Sequence, residues 1–204
     1  MVLCLGELGA FADGVAYGNE ALQIAEAVGR PFERLVTYWR MGYLYLRQGA
    51  LHQAIPLLER VVALGQEANI PLHYRYAAMR LALAYGLAGR TTDALAVLGQ
   101  LEGNKDFCGE VYLLAGDVEE ADRLAQRGLA HARAHKMRGN EAWTLWLLGE
   151  IAARRNPPQL ESAAAAYRQA LALAEELGMR PLQAYSHRGL VILLYSGRPV
   201  AACP

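Results

Sequence analysis

Apolar residues recur along this chain with the period of an α-helix. Ala54, Leu57, Leu58 and Val61 stand at i, i+3, i+4 and i+7, and Ala163, Ala166, Tyr167, Ala170 and Leu171 follow the same stripe. Each stripe predicts a helix that must bury one side. The stripes themselves recur: Met41-Gly42-Tyr43-Leu44-Tyr45-Leu46-Arg47-Gln48-Gly49-Ala50-Leu51-His52-Gln53-Ala54 reads as a helix, a glycine turn and a second helix. Leu81 to Ala94 reads the same way 40 positions on. Candidate turn glycines Gly9, Gly49 and Gly89 are 40 apart, and Gly116 leads after 40 more to Asn156, the residue next best suited to a left-handed backbone. Small residues inside the first helix of each pair, Gly42, Ala82, Gly109, Gly149 and Gly189, are spaced 40, 27, 40 and 40. The short interval marks one contracted unit.

Small residues are needed because two antiparallel helices close tightly only where one backbone can approach the other. Gly42 opposite Ala54 predicts such an approach, with Tyr45, Leu58 and Val62 filling the layer around it. A single pair cannot bury both of its faces, whereas stacked neighbours can, which is the logic of a solenoid. Three places depart from the pattern. Gly14 and Gly18 occupy the small and the bulky sites of one second helix, so that unit is either very tightly packed or loose. Pro56 removes a backbone donor and predicts a helix that starts late or bends. Asn156-Pro157-Pro158 predicts an extended connection.

Composition sharpens the picture. Alanine (36) and leucine (33) make up a third of the 204 residues, whereas isoleucine, valine and threonine together number 20, which argues against a sheet. Lys plus Arg equals Asp plus Glu at 20 each, so no basic field draws a nucleic-acid backbone. Cys4, Cys108 and Cys203 are odd in number and unrelated in spacing, giving neither a disulfide framework nor a metal knuckle and favouring a reducing, cytoplasmic setting. The N-terminal apolar stretch has no basic flank and is interrupted by Glu7 and Asp13, so neither a signal peptide nor a spanning helix is expected.

The repeat resembles the tetratricopeptide repeat. Leu145, Leu148, Gly149, Ala163, Tyr167, Ala170 and Pro181 follow that family's pattern, as do Tyr38, Gly42, Tyr45, Gly49, Ala54, Leu58 and Pro71. The period near 40 exceeds the family's usual value of about 34 and resembles its longer-helix variant. Phrases such as Ala21 to Gly29 and Tyr167 to Pro181 also resemble the C-terminal arrays of large bacterial signalling proteins, in which a nucleotide cyclase and an ATPase module precede the repeats. The resemblance implies an all-α right-handed superhelix of about five to six helix-turn-helix units in a single domain over 1–204. Its units are 1–29, 33–69, 73–103, 104–137, 140–179 and an incomplete 181–204.

In that family, ligands lie in a groove lined by the first helix of each pair. The resemblance places Val36, Trp39, Tyr43, Leu46 and Arg47 there, then Tyr76, Met79, Leu83 and Leu87, then Asp106, Glu110 and Leu113 in the contracted unit. Trp143, Trp146, Glu150 and Arg154 follow, then Gln183, Ser186 and Leu190. Large aromatic rings on such a surface suit peptide binding, because they bury much area for little lost rotamer freedom. Aromatic stripes at helical spacing are equally readable as ordinary core. Only Arg47 and Arg154 bring positive charge to these faces, which favours an apolar or amphipathic helical ligand over an acidic tail.

Catalytic and metal constellations are weak. His131 and His135 stand at i and i+4 without a fixed acidic third ligand, and read as surface histidines. Asp117, Glu119, Glu120 and Asp122 read as acidic residues at a helix N-terminus. Cys108 reads as a small buried hydrophobe. No glycine-rich phosphate loop is present. The expectation is therefore a non-enzymatic protein-interaction module with no cofactor and no metal, binding a protein or peptide and neither nucleic acid nor membrane. Residues 2–8 and 182–195 read as unpaired parts of the pattern, so the chain is expected to be a fragment of a longer protein or to cover its ends by self-association. Leu190, Leu193 and Leu194 are the candidate oligomer contacts. A small-molecule sensor with its pocket inside the superhelix, using Glu150 or Arg154, is the remaining alternative.

Overall fold

A computed structural model of the chain describes residues 1–67, 71–103 and 105–196; the expectations for 68–70, 104 and the chain after Ser196, Cys203 included, lie outside the described residues. Those residues form helices and no strand: α1 (Val2–Leu8), α2 (Phe11–Val28), α3 (Pro31–Gln48), α4 (Leu51–Glu67), α5 (Pro71–Leu87), α6 (Thr91–Gly99), α7 (Gly109–Leu114), α8 (Val118–Ala134), α9 (Arg138–Arg154), α10 (Leu160–Glu176) and α11 (Arg180–Ser196). None of them is long and apolar enough to cross a membrane. The chain divides into two compact units, Met1–Asn104 and Lys105–Pro204.

In the first unit each helix from α1 to α6 packs on the next, and α3 also touches α1 and α5. In the second, α7 to α11 pack consecutively, and α9 also touches α7 and α11. The turns explain this order. Gly9, Gly49, Gly89 and Gly116 are left-handed, with φ of 71°, 80°, 77° and 86°. At each one the next residue's N–H reaches back five positions: Ala10 to Leu5, Ala50 to Tyr45, Arg90 to Tyr85 and Asp117 to Tyr112, at 2.8–2.9 Å. That bond satisfies carbonyls a helix end would leave unpaired and reverses the chain within two residues.

Asn156 departs from this series. Lys136 is the one non-glycine residue with positive φ among the described residues (54°), and the Asn156–Pro157 peptide is cis. Asn156 does not take the left-handed conformation the spacing suggested, and the following proline disfavours it, because its ring crowds the preceding residue. At Pro56, α4 runs from Leu51 through the proline to Glu67, so of the two expected outcomes the late start does not occur. The contracted interval falls where α6 has nine residues and α7 six. The division between the two units falls there as well.

Close packing settles the open question at Gly14 and Gly18. A Cβ on Gly14 would stand 2.8 Å from Leu44 Cδ1, and one on Gly18 would stand 1.8 Å from Met41 Sδ. Met41 and Leu44 of α3 fill the space that side chains on α2 would otherwise take, so α2 packs tightly on α3. Gly42 does the same for Leu58 of α4, whose Cγ would lie 2.8 Å from an added Cβ. In the second unit one ring serves two helices. Tyr167 of α10 presses on Gly149 of α9 and Gly189 of α11, and an added Cβ at either would come within 2.6 Å of it. The core of that unit gathers Trp146, Leu147, Ile151, Tyr167 and Leu182. The first unit buries Leu35, Tyr38 and Val61 in one cluster, Met41 and Leu44 in another.

Candidate functional site

Two seams between odd-numbered helices carry most of the aromatic residues foreseen for the groove. In the first unit, Trp39 of α3 and Tyr76 of α5 meet with ring centroids 6.4 Å apart. One turn further along, the guanidinium of Arg80 lies 5.1 Å from the centre of the Tyr43 ring. Arg47 lies 5.0 Å from the same ring, and Arg75 lies 5.7 Å from that of Tyr76. Tyr43 donates its hydroxyl hydrogen bond to Glu7 of α1, and Arg47 Nε donates to the same carboxylate oxygen at 3.1 Å. Burial raises the Tyr43 phenol above its usual range, and Arg47 and Arg80 oppose that rise.

In the second unit three rings meet: Trp143 and Trp146 of α9 at 5.8 Å edge to face, and Tyr185 of α11 at 5.9 Å from Trp143 and 5.5 Å from Trp146. Beside them the Tyr167 hydroxyl donates to Glu150 Oε1 at 2.6 Å, and Arg154 donates to Oε2 of the same carboxylate at 2.6 Å. Burial, then the bond to Glu150, drives the Tyr167 phenol far upward. Glu150 and Arg154 thus secure a core ring.

The foreseen residues separate by depth. Tyr43, Leu46, Leu83 and Trp146 are buried, and so are Asp106, Leu113 and Ser186. Val36, Trp39, Met79, Trp143, Glu110, Gln183 and Leu190 are half-buried. Tyr76 and Leu87 are exposed, at 45 % and 44 %. Of the candidate oligomer residues, Leu190 and Leu193 pack partly on their own unit's core, while Leu194 points outward at 71 % exposed. Val191, Ile192 and Tyr195 are exposed beside it.

Three seam residues were missed, Arg75, Arg80 and Tyr185. Arg80 stands one turn after Tyr76 on the face that also carries Met79 and Leu83, so the i+4 spacing was the available signal. Tyr185 occupies the register of Leu145, an interior position, and only the length of its ring brings it into the seam.

Neither a protein-family model nor a curated protein matches this chain.

His131 and His135 stack at 4.2 Å, and His135 Nδ1–H donates to the His131 carbonyl at 2.9 Å. Among the described residues no three His, Cys, Asp or Glu side chains gather as a metal site. Asp117 caps α8 by accepting from the Glu120 N–H at 3.0 Å. A cleft of about 430 Å³ beside Asn156 to Gln159 is lined by Arg154 and Arg155. Arg155 there bridges Glu119 and Asp122, both at 3.0 Å.

Proposed function

We propose that this chain is a non-enzymatic protein-interaction module of tetratricopeptide type, holding a helical or extended segment of a partner along the α3–α5 face of the first unit or the α9–α11 face of the second. The observation that carries this reading is the partial exposure of Trp39, Tyr76, Trp143 and Tyr185 along two seams between helices of the same register. Half-buried aromatic rings held rigid by their neighbours offer contact area at low entropic cost. The recurring left-handed turns and the consecutive packing of the helices support the repeat reading. A signalling array within a larger protein is the setting the sequence resemblance favours.

The test is affinity capture from a lysate followed by mass spectrometry, comparing the native chain with a Trp39→Ala, Trp143→Ala variant whose circular dichroism is unchanged. Partners retained by the native chain and lost by the variant support the reading. Identical lists for both chains overturn it and leave those rings as packing residues.

A second reading has its own observation. Leu194 and Tyr195 are 71 % and 70 % exposed on α11, with Val191 and Ile192 beside them, an apolar face suited to contact with another copy. Leu194→Glu then converts an oligomer to a monomer by light scattering. An unchanged mass removes this reading.

A further inference from the structure

Helices α3 and α5 carry a charge asymmetry that the neutral whole conceals, and three of their arginines, Arg47, Arg75 and Arg80, lie over the seam's tyrosine rings. α3 and α5 contain Arg34, Arg40, Arg47, Arg75 and Arg80 against a single acid, Glu33. The acids that neighbouring helices bring to this unit's tyrosines are engaged by hydroxyl groups: Glu26 by Tyr38, Glu7 by Tyr43 and Glu59 by Tyr85. Glu7 also takes Arg47. Arg80 is left stacked on the Tyr43 ring, half-buried, and forms no ion pair or hydrogen bond with the described residues. A guanidinium fixed against an aromatic face has surrendered rotamer freedom and part of its water shell, yet has all its N–H donors available.

We propose that the α3–α5 face binds an acidic amphipathic segment of a partner protein, whose carboxylate pairs with Arg80 while an apolar side chain one turn away covers Tyr76 and Trp39. This rests on the interaction reading above and adds the chemistry of the partner to it. Tyr76 and Arg80 are one helical turn apart on α5, so a ligand helix with an apolar residue and a carboxylate one turn apart matches both. Planar Arg–carboxylate pairing fixes the direction of that segment as well as strengthening it. Complementary charge also speeds encounter and rejects basic segments.

The experiment displays random 12-residue peptides against the full chain, using Tyr76→Ala to identify binders of this face. The affinities of selected peptides are then measured by fluorescence anisotropy. Expected are sequences enriched in Asp and Glu, and weakening of about tenfold or more in Arg80→Gln, the loss of one charge-assisted bond. Arg80→Lys keeps part of the affinity. Replacing the peptide's acid by its amide weakens binding to the native chain, with no further loss against Arg80→Gln. Peptides that depend on Tyr76 but show no acidic enrichment and no response to Arg80→Gln overturn the acidic-partner inference and leave the interaction reading standing. No Tyr76-dependent binder at all overturns both. A single-stranded oligonucleotide that binds more tightly than the acidic peptides at equal salt also overturns it, since the charge then serves phosphate. Should Arg80→Gln fail to fold, the peptide-side amide series and Arg80→Lys decide the matter.

Discussion

Along α3–α5 a tryptophan–tyrosine pair is flanked by guanidinium groups, whereas along α9–α11 two tryptophans and a tyrosine meet one another. The arginine five residues past the helix glycine stands at the same register in both, as Arg47 after Gly42 and Arg154 after Gly149. Its circumstances differ. Arg47 has a side chain 10 % exposed and shares Glu7 with a tyrosine, while Arg154 is 48 % exposed and pairs within its own helix. The first seam therefore keeps cations inside its packing and leaves Arg80 available. The second keeps its charge at the edge and fills its middle with rings. Equal register fixes where side chains go, and local chemistry decides what they offer a partner.

Breaking the second seam at its wedge is expected to have the largest effect. Tyr167→Ala should cost about 3–5 kcal/mol of stability, since it empties the space between two helices. Tyr167→Phe keeps the ring and should lose only about 1–2 kcal/mol with the bond to Glu150. Urea denaturation distinguishes the two, and equal losses would show that the ring is not a wedge.

Gly149→Ala comes next, at about 1–3 kcal/mol, because the new methyl would meet the Tyr167 ring at 2.6 Å. Gly99→Ala, with nothing within 4 Å, should be neutral or slightly stabilising. Similar melting shifts for both would refute the close approach.

Glu7→Gln tests the half-buried charge of the first seam and should cost about 1–2 kcal/mol, because Tyr43 and Arg47 share that carboxylate. The matching surface change, Arg154→Gln, should stay within about 0.5 kcal/mol. Both are read by thermal unfolding, and a larger loss for Arg154→Gln would reverse the comparison.

The smallest effect concerns pH. Burial, the bond to Glu59 and that carboxylate's charge push the Tyr85 phenol up to about 12 from its ordinary 10, with Arg90 opposing. The folded state therefore holds this proton where the unfolded chain releases it. Stability from Tyr85 is complete below pH 10 and is lost as the pH rises toward about 12. Phenolate absorbance should show one late-titrating tyrosine fewer in Tyr85→Phe, and a curve unchanged above pH 11 would contradict this.

The helical class, the turn glycines and the small packing positions were legible because each rests on a local requirement: a period of 3.6 residues, a positive φ, a missing Cβ. Asn156 was misread because spacing spoke for a left-handed turn while the neighbouring Pro157 disfavoured it, and the neighbour prevailed. The seams were half legible. Trp39, Tyr76, Trp143 and Trp146 were named from register, but their depth was not, since Trp146 and Trp143 differ in exposure at nearly the same place on α9. Tyr185 enters its seam by reach, which no periodicity records. Arg80 becomes distinctive only once Glu7, the carboxylate at the ring it covers, is seen to be taken by Tyr43 and Arg47.

The ring of Tyr167 has a consequence for inheritance. Because Gly149 and Gly189 both rest on one ring and both approach its Cε1, neither glycine is free to vary while tyrosine stands there. Shortening position 167 to leucine would open both sites together, so alanine at 149 and 189 should be tolerated there though each is harmful alone. Forty residues apart in the chain, these glycines form one unit of epistasis, and a lineage that crosses to larger residues must change the ring first.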